Sequence, residues 1–338
     1  MVQTIHTRNN IFGDNIAFVH QYDFSKANLS EENRLNAITT VASICYQNPK
    51  AVGSESLYNR LLAESHGLPS SSFEFVPVLL GTNSDIKHTG PDEVVPNVVK
   101  FGETIYDNGT PYLLTNYRAI VYDVENGLLD ESALKYFNTE EECKIIKKHF
   151  KVFLFKVDFP TRSQMVRHRV NWQELSRRYV SGERVPFEFY VSEGMKKVTS
   201  CIGYSEISCG EMMGTDDIIN ICLEHYYAAL ERGIKPQEAR RIIPQAAYTQ
   251  IWGAFQPSQL ANYFKLRDDE HAQWEIRQTA KAMKACIVLE HYFDNTTPER
   301  EAEIQARLES IQNGTAEFLT NEELELIIAE KQAKENND

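Results

Sequence analysis

The sequence predicts a mixed α/β fold, a sheet flanked by helices, from three observations. Apolar residues recur at helical spacing in three separated runs: Leu35, Ile38, Val41, Ala42 and Cys45; Ile219, Leu223, Tyr226, Tyr227 and Leu230; and Ile276, Ala280, Met283 and Ile287. Residues 73–80 and 152–159 have instead the alternating, aromatic-rich character of strands. The chain has 338 residues, 42% of them hydrophobic, enough to bury a sizeable core in one large domain or two small ones.

In chain order, Ser30 is placed to cap a first helix that ends near Asn48-Pro49, because the residue before a proline disfavours the helical region. A second helix is expected over 56–64. The run GLPSSS at 67–72 then favours a turn, and the strand 73–80 follows. Residues 81–108 are polar and rich in turn formers, and 111–116 and 117–124 read as short strands near the Asn-Gly pairs at 108 and 126. After the strand 152–159, Pro160 and the Thr161-x-x-Gln164 spacing predict a helix opened by a capping box. Further helices are expected over 216–232, stopped by Gly233, and over 239–248 and 270–293. The tail 296–338 is acidic and weakly amphipathic, suited to surface helices.

Composition excludes several classes of function. Residues 1–10 lack the apolar core of a secretory signal, and no stretch approaches the ~20 uncharged apolar residues of a membrane span, so a soluble cytoplasmic protein is expected. Six scattered cysteines without a CxxC pair argue against a zinc site or a disulfide framework, so no metal is assigned. A net charge of −13 opposes general binding to nucleic acid. An anionic small ligand must then be held by clustered arginines.

Such a cluster exists. Over 161–179 the chain reads TRSQMVRHRVNWQELSRRY, in which Arg162, Arg167, Arg169, Arg177 and Arg178 face one acid, Glu174. The planar guanidinium matches two oxygens at once and stays charged at any working pH, which suits phosphates and the polar edge of a pyrimidine. On a helix, consecutive Arg167, His168 and Arg169 would point about 100° apart and could grip two ligands or two subunits. The plainer reading is a basic helical surface with an ordinary Glu174–Arg178 pair.

The run RHRVNWQELSRRY resembles the motif of flavin-dependent thymidylate synthases, the ThyX family, in which Arg-His-Arg is followed by Asn-Glu-x-Ser-x-Arg-Tyr. Two further blocks, ARRIIPQAAYT at 239–249 and LANYFKLRDDEHAQWEIRQTA at 260–280, are similar to later family motifs in the right order. A weaker resemblance joins ASICY at 42–46 and SSSFEF at 70–75 to the family's flavin loop. The matches span roughly 40–80 and 150–290. A catalytic domain is therefore expected over 1–295, with 81–150 as an insertion atypical of the family and 296–338 as a helical tail.

The resemblance implies reductive methylation of dUMP to dTMP, with FAD as cofactor and NADPH and methylene-tetrahydrofolate as co-substrates. It also implies a homotetramer with active sites at subunit junctions. It assigns Gln164, Glu174, Ser176, Arg178, Arg240 and Arg267 to dUMP, with Arg178 and Arg240 on the phosphate and Arg267 at the uracil. Arg267 and Ser176 then stand closest to the chemistry. Cys45, Ser71, Glu74, Arg167, His168, Arg169, Gln173 and Asn262 are assigned to FAD. The sequence departs from the pattern at several points. Six residues rather than the usual seven separate Arg169 from Ser176, and Gln173 stands where Asn is usual. Pro69 and Phe75 replace histidines, and Gln256 and Ser258 replace an Asn and an Arg expected to touch FAD. Modification of another pyrimidine nucleotide, or nucleotide binding without catalysis, are the alternatives.

The chemistry accommodates these residues. Carbon 5 of uracil is a poor nucleophile, and activation by a cysteine at carbon 6 would need a thiol beside the arginines, where none lies in sequence. A flavin route removes that need, leaving orientation and electrostatics to the protein. Ser176 is then a binding residue rather than a nucleophile. His168 is read as a packed ring before a proton shuttle, and His271 with its neighbouring acids as a solvated helix start.

Overall fold

A computed structural model of the chain describes residues 6–9, 19–63, 69–81, 86–192, 194–202, 211–293 and 306. The first half comprises β1 (His6–Asn9), β2 (Val19–Tyr22), α1 (Glu31–Tyr46), α2 (Glu55–Leu62), β3 (Pro77–Gly81), α3 (Asn97–Lys100), β4 (Glu103–Asp107), β5 (Thr110–Asn116), α4 (Tyr117–Glu125) and α5 (Glu140–His149). The second half comprises β6 (Lys151–Asp158), α6 (Phe159–Met165), β7 (Asn171–Glu174), β8 (Glu188–Val191), β9 (Thr199–Ile202), β10 (Glu211–Gly214), α7 (Thr215–Glu231), α8 (Pro236–Ala239), β11 (Tyr248–Phe255), α9 (Pro257–Arg267) and α10 (Trp274–Phe293). The fold is mixed α/β.

Its centre is a four-stranded antiparallel sheet in the order β2-β6-β11-β7. Strand residues alternate between two cores, which is why β6 is apolar on both faces. Val152, Leu154, Trp252 and Ala254 face the core built with α1 and α2, around Ile38, Val41 and Leu61. Phe153, Phe155, Val157, Ile251 and Phe255 face the other, with Tyr263 of α9 and Ile276, Ala280 and Met283 of α10. A separate sheet, β3-β5-β4, lies against the first core through Val78, Leu79 and Leu114.

Most expected elements are present with shifted ends. Ser30 caps α1 by accepting from the Asn33 N–H at 3.2 Å, and the helix ends on Gln47 in the left-handed conformation, φ 47°. The expected strand 73–80 divides into a 3₁₀ turn over Ser71–Phe75, which sinks Phe73 and Phe75 into the core, and β3 from Pro77. The Asn108-Gly109 turn joins β4 to β5 with both residues at positive φ, 49° and 80°, as a tight hairpin requires. The expected tail 296–338, apart from residue 306, lies outside the described residues, as do 64–68 of the expected second helix and turn.

Three expectations fail, and one expected helix starts late. Residues 117–124 form α4, not a strand: Tyr117, Ile120, Val121 and Val124 sit at i, i+3, i+4 and i+7, and the Asn116 side chain caps the helix by accepting from Ala119 N–H at 3.0 Å. The expected helix 239–248 is a single turn, α8, followed by a 3₁₀ turn over Arg240–Ile242, because Ile243 precedes Pro244 and becomes extended. The cap of α6 is Asp158, which accepts from Thr161 N–H at 3.0 Å, so the Thr161 capping box does not form. The last long helix begins at Trp274, after a turn in which Asp269 accepts from His271 N–H at 2.9 Å. Among the described residues no helix is long and apolar enough to cross a membrane.

Candidate functional site

Arg167-His168-Arg169 form the turn between α6 and β7, not part of a helix. Backbone and side chains fasten that turn at both ends. His168 N–H donates to Met165 O at 3.0 Å, and the His168 carbonyl accepts from Val170 N–H and from the indole of Trp172, each at 3.0 Å. The Arg169 carbonyl accepts from Gln259 Nε2 at 3.0 Å. Consequently His168 points inward and is 6% exposed, while Arg167 and Arg169 point outward.

Arg267, at the end of α9, meets this turn. Its Nε–H donates to His168 Nε2 at 2.7 Å and its Nη2–H to the Gln164 carbonyl at 3.0 Å. A ring nitrogen that accepts from a guanidinium carries no proton, so the histidine is neutral with its hydrogen on Nδ1. Burial, and then the Arg267 charge, push the His168 pKa down to about 4. The ring also packs 4.7 Å from Tyr263. Arg167, His168, Arg169, Asn262 and Arg267 together line a cavity of about 500 Å³. The Gln164 side chain is turned to Gln273, 2.5 Å away.

Other predicted residues gather elsewhere. Cys45, Gln173, Glu174 and Ser176 line a second cavity of about 270 Å³, with Tyr46 and Tyr179 beside them. Ser71 Oγ donates to Gln173 Oε1 at 2.5 Å, Gln173 Nε2 donates to Cys45 Sγ at 2.9 Å, and Ser176 N–H donates to Cys45 O at 3.1 Å. Glu174 pairs with Arg162, whose Nε donates at 2.9 Å, and accepts from Thr249 Oγ1 at 3.0 Å. The anticipated Glu174–Arg178 pair is therefore absent, because Glu174 ends a strand rather than lying one helical turn before Arg178.

The adjacent arginines divide sharply. Arg177 is 7% exposed, donates to the carbonyls of Val185 at 2.5 Å and Pro186 at 3.3 Å, and lies 4.1 Å over Phe187. Arg178 is exposed and donates to Gln237 of α8 at 3.2 Å. Arg240, also exposed, follows one turn after Gln237. Neither Arg178 nor Arg240 lines the Arg267 cavity.

Glu74 belongs to a third cavity, of about 630 Å³, and accepts from Arg118 Nη1 at 2.5 Å. Burial raises its pKa against the opposing pull of Arg118. The two divergent positions on α9 are occupied by the chain itself. Gln256 Nε2 donates to the carbonyls of Phe101 at 2.9 Å and Leu114 at 3.4 Å. Ser258 donates its N–H and Oγ to the Glu103 carboxylate, at 3.0 and 2.8 Å. For an anionic dinucleotide cofactor, the donor set at Arg167, Arg169, Asn262 and Arg267 fits, while Gln256 and Ser258 are committed to the segment 101–114.

Sequence reasoning counted Arg162 only within the arginine island and gave no role to Thr249, Trp172 and Gln259; all four orient the predicted residues. The pairing of Gly253 with Trp172 could have been sought in the alternation of β11. Nothing in 81–150 announced Arg118 as the partner of Glu74.

Residues 132–291 match the family model described as Thymidylate synthase complementing protein, Thy1. The chain carries a Thy1 domain. Curated relatives over this region are named flavin-dependent thymidylate synthase. The Thermotoga neapolitana protein is 32% identical over 139 residues, covering 39% of this chain and 59% of that one. Those of Pyrococcus abyssi and Wolbachia pipientis wMel are each 31% identical, covering 39% and 46% of this chain and 52% and 57% of theirs. The chain thus spans little more than half the length of these relatives. A solved structure, the UMP/dUMP methylase PolB of Streptomyces cacaoi bound with 5-Br UMP, covers 41% of this chain and 68% of that one at 23% identity. Its TM-score of 0.32 is too loose a likeness to locate any residue. The matched span contains Arg162, Arg167, Arg169, Arg177, Arg178, Arg240 and Arg267, with His168 and Asn262; Cys45, Ser71, Glu74 and Arg118 precede it.

Proposed function

We propose that this chain is a flavin-dependent thymidylate synthase, methylating dUMP with methylene-tetrahydrofolate as carbon donor, NADPH as reductant and FAD as cofactor. The observation that carries the reading is the Arg267–His168 contact at the head of a cavity lined by Arg167, Arg169 and Asn262, within a Thy1 domain. Flavin, when bound, supplies the redox chemistry that no side chain here can perform.

The chain's own residues then bind and orient. Arg267 has its plane fixed by two hydrogen bonds, and its remaining N–H groups are free to hold a pyrimidine carbonyl as negative charge builds there. Neutral His168 acts as a positioning residue for that guanidinium. Arg178 and Arg240 are well suited to a phosphate, since both are exposed and adjoin one helical turn. Because they do not share the Arg267 cavity, a complete site requires a second copy of the chain, in keeping with a homotetramer whose sites lie at subunit junctions.

The engagement of Gln256 and Ser258 by the segment 101–114 favours one second reading, the flavin-dependent modification of a different pyrimidine nucleotide. Absorption spectra test both. The purified chain should show flavin bands that shift when dUMP is added. Flavin bands indifferent to dUMP but shifted by another pyrimidine nucleotide select the second reading. A chain that takes up no FAD refutes both.

A further inference from the structure

The third cavity continues the site beyond the Thy1 domain. It shares Arg169, Val170 and Gln259 with the Arg267 cavity, and its far wall comes from residues 97–122, ahead of the matched span. At about 500 and 630 Å³, each cavity alone suits a ligand of ordinary drug size, whereas a dinucleotide needs an extended groove.

The amides of this wall are already committed. Asn97 donates to Asp123, Asn116 accepts from Ala119 N–H, Asn171 donates to the Glu74 carbonyl, and Gln256 is held as described above. The N-terminus of α9, where an anion might otherwise settle, is capped by Glu103. What stays available is cationic. Lys100 and the Arg169 side chain have no ion pair among the described residues, and Arg118 already offsets the one acid, Glu74. In a chain of net charge −13 this is a locally positive chamber. Its rim also presents unusually bare rings, Phe101 at 61% and Tyr122 at 36% exposure, which offer flat apolar surface to a base.

We infer that the chamber bounded by Lys100, Arg118, Phe101 and Tyr122 receives the adenosine diphosphate portion of a flavin dinucleotide whose ring end lies in the Arg267 cavity. Arg169, which lines both cavities, holds the flavin-side phosphate, Lys100 holds the adenosine-side one, and the two rings flank the base. This rests on the flavin reading above and adds a set of contacts outside the Thy1 domain.

Calorimetric titration of the full chain with FAD, FMN and ADP separates the two claims. Lys100 is exposed, so Lys100→Glu leaves the core intact. Lys100→Glu should weaken FAD at least tenfold, leave FMN unchanged, and be rescued by Lys100→Arg instead. Equal FAD affinity in wild type and Lys100→Glu, or an equal loss for FMN, overturns the chamber while the flavin reading stands. If the wild-type chain binds neither flavin, the flavin reading fails and the chamber's assignment falls with it; if it binds FAD, competition by ADP that Lys100→Glu weakens tenfold upholds the chamber, and ADP binding indifferent to Lys100→Glu overturns it.

Discussion

Arg267 and His168, 99 residues apart, are joined by a hydrogen bond in which a guanidinium donates to a buried, unprotonated imidazole at 2.7 Å. Each residue explains the other's state. Burial, and then the cation, keep the ring neutral, and the ring holds the cation in one plane at the mouth of the cavity.

This contact makes stability depend on acid. The folded-state pKa of His168 is about 4 against an ordinary value of 6.5, so the folded chain resists a proton that the unfolded chain accepts. Its contribution is fully present above pH 6.5 and is lost as pH falls towards 4. At pH 5 the loss should be about 2 kcal/mol. His168→Gln keeps an acceptor for Arg267 but cannot titrate, so urea unfolding at pH 7.5 and pH 5 should show a smaller acid loss in the variant. Parallel losses would refute the assignment.

Gly253 leaves room for Trp172. An added Cβ would lie 2.5 Å from Trp172 Cζ3 and 3.0 Å from Phe255 Cε2, inside the packed core. Gly253→Ala should cost about 1–3 kcal/mol. Because the Trp172 indole holds the His168 carbonyl, it should also weaken flavin binding. Denaturant melts and flavin titration check both effects, and a variant as stable as wild type would show that the indole has slack.

Neighbouring arginines should behave oppositely. Arg177→Ala leaves two carbonyls without their donor and empties the space over Phe187, at a cost of about 2–4 kcal/mol. Arg178→Ala removes an exposed side chain and should change stability by no more than about 0.5 kcal/mol. Yet Arg178→Ala should raise the KM for dUMP tenfold or more. An unchanged KM would remove Arg178 from the nucleotide site.

If two copies complete one site, damage on different faces can be complemented. Arg178→Ala and Arg267→Ala chains, each impaired alone at low dUMP, should regain part of the activity when co-assembled, since some junctions then combine two intact faces. Inactive mixed assemblies of demonstrated mixed composition would place both residues on the same copy's half-site.

Much of this was legible in the sequence where periodicity and burial coincide. The apolar stripes of α1, α7 and α10 and the two-faced run of β6 predicted their elements, and the fold class followed. Residues 117–124 misled because their β-branched content outweighed a helical spacing and the Asn116 cap. The arginine island was visible as composition, but its division into a turn, a strand and a buried Arg177 depends on tertiary partners. Gln259 and the Val185 carbonyl hold it from outside the run. The chamber walled by 97–122 had no motif to announce it, because its polar groups bind the rest of this chain.

The central claim is tested most directly by release of tritium from 5-tritiated dUMP by the flavin-loaded chain. The account predicts release that requires both NADPH and methylene-tetrahydrofolate, with dTMP formed in equal amount, and at least a hundredfold loss in Arg267→Ala. A chain that binds flavin and dUMP but releases no tritium would contradict it.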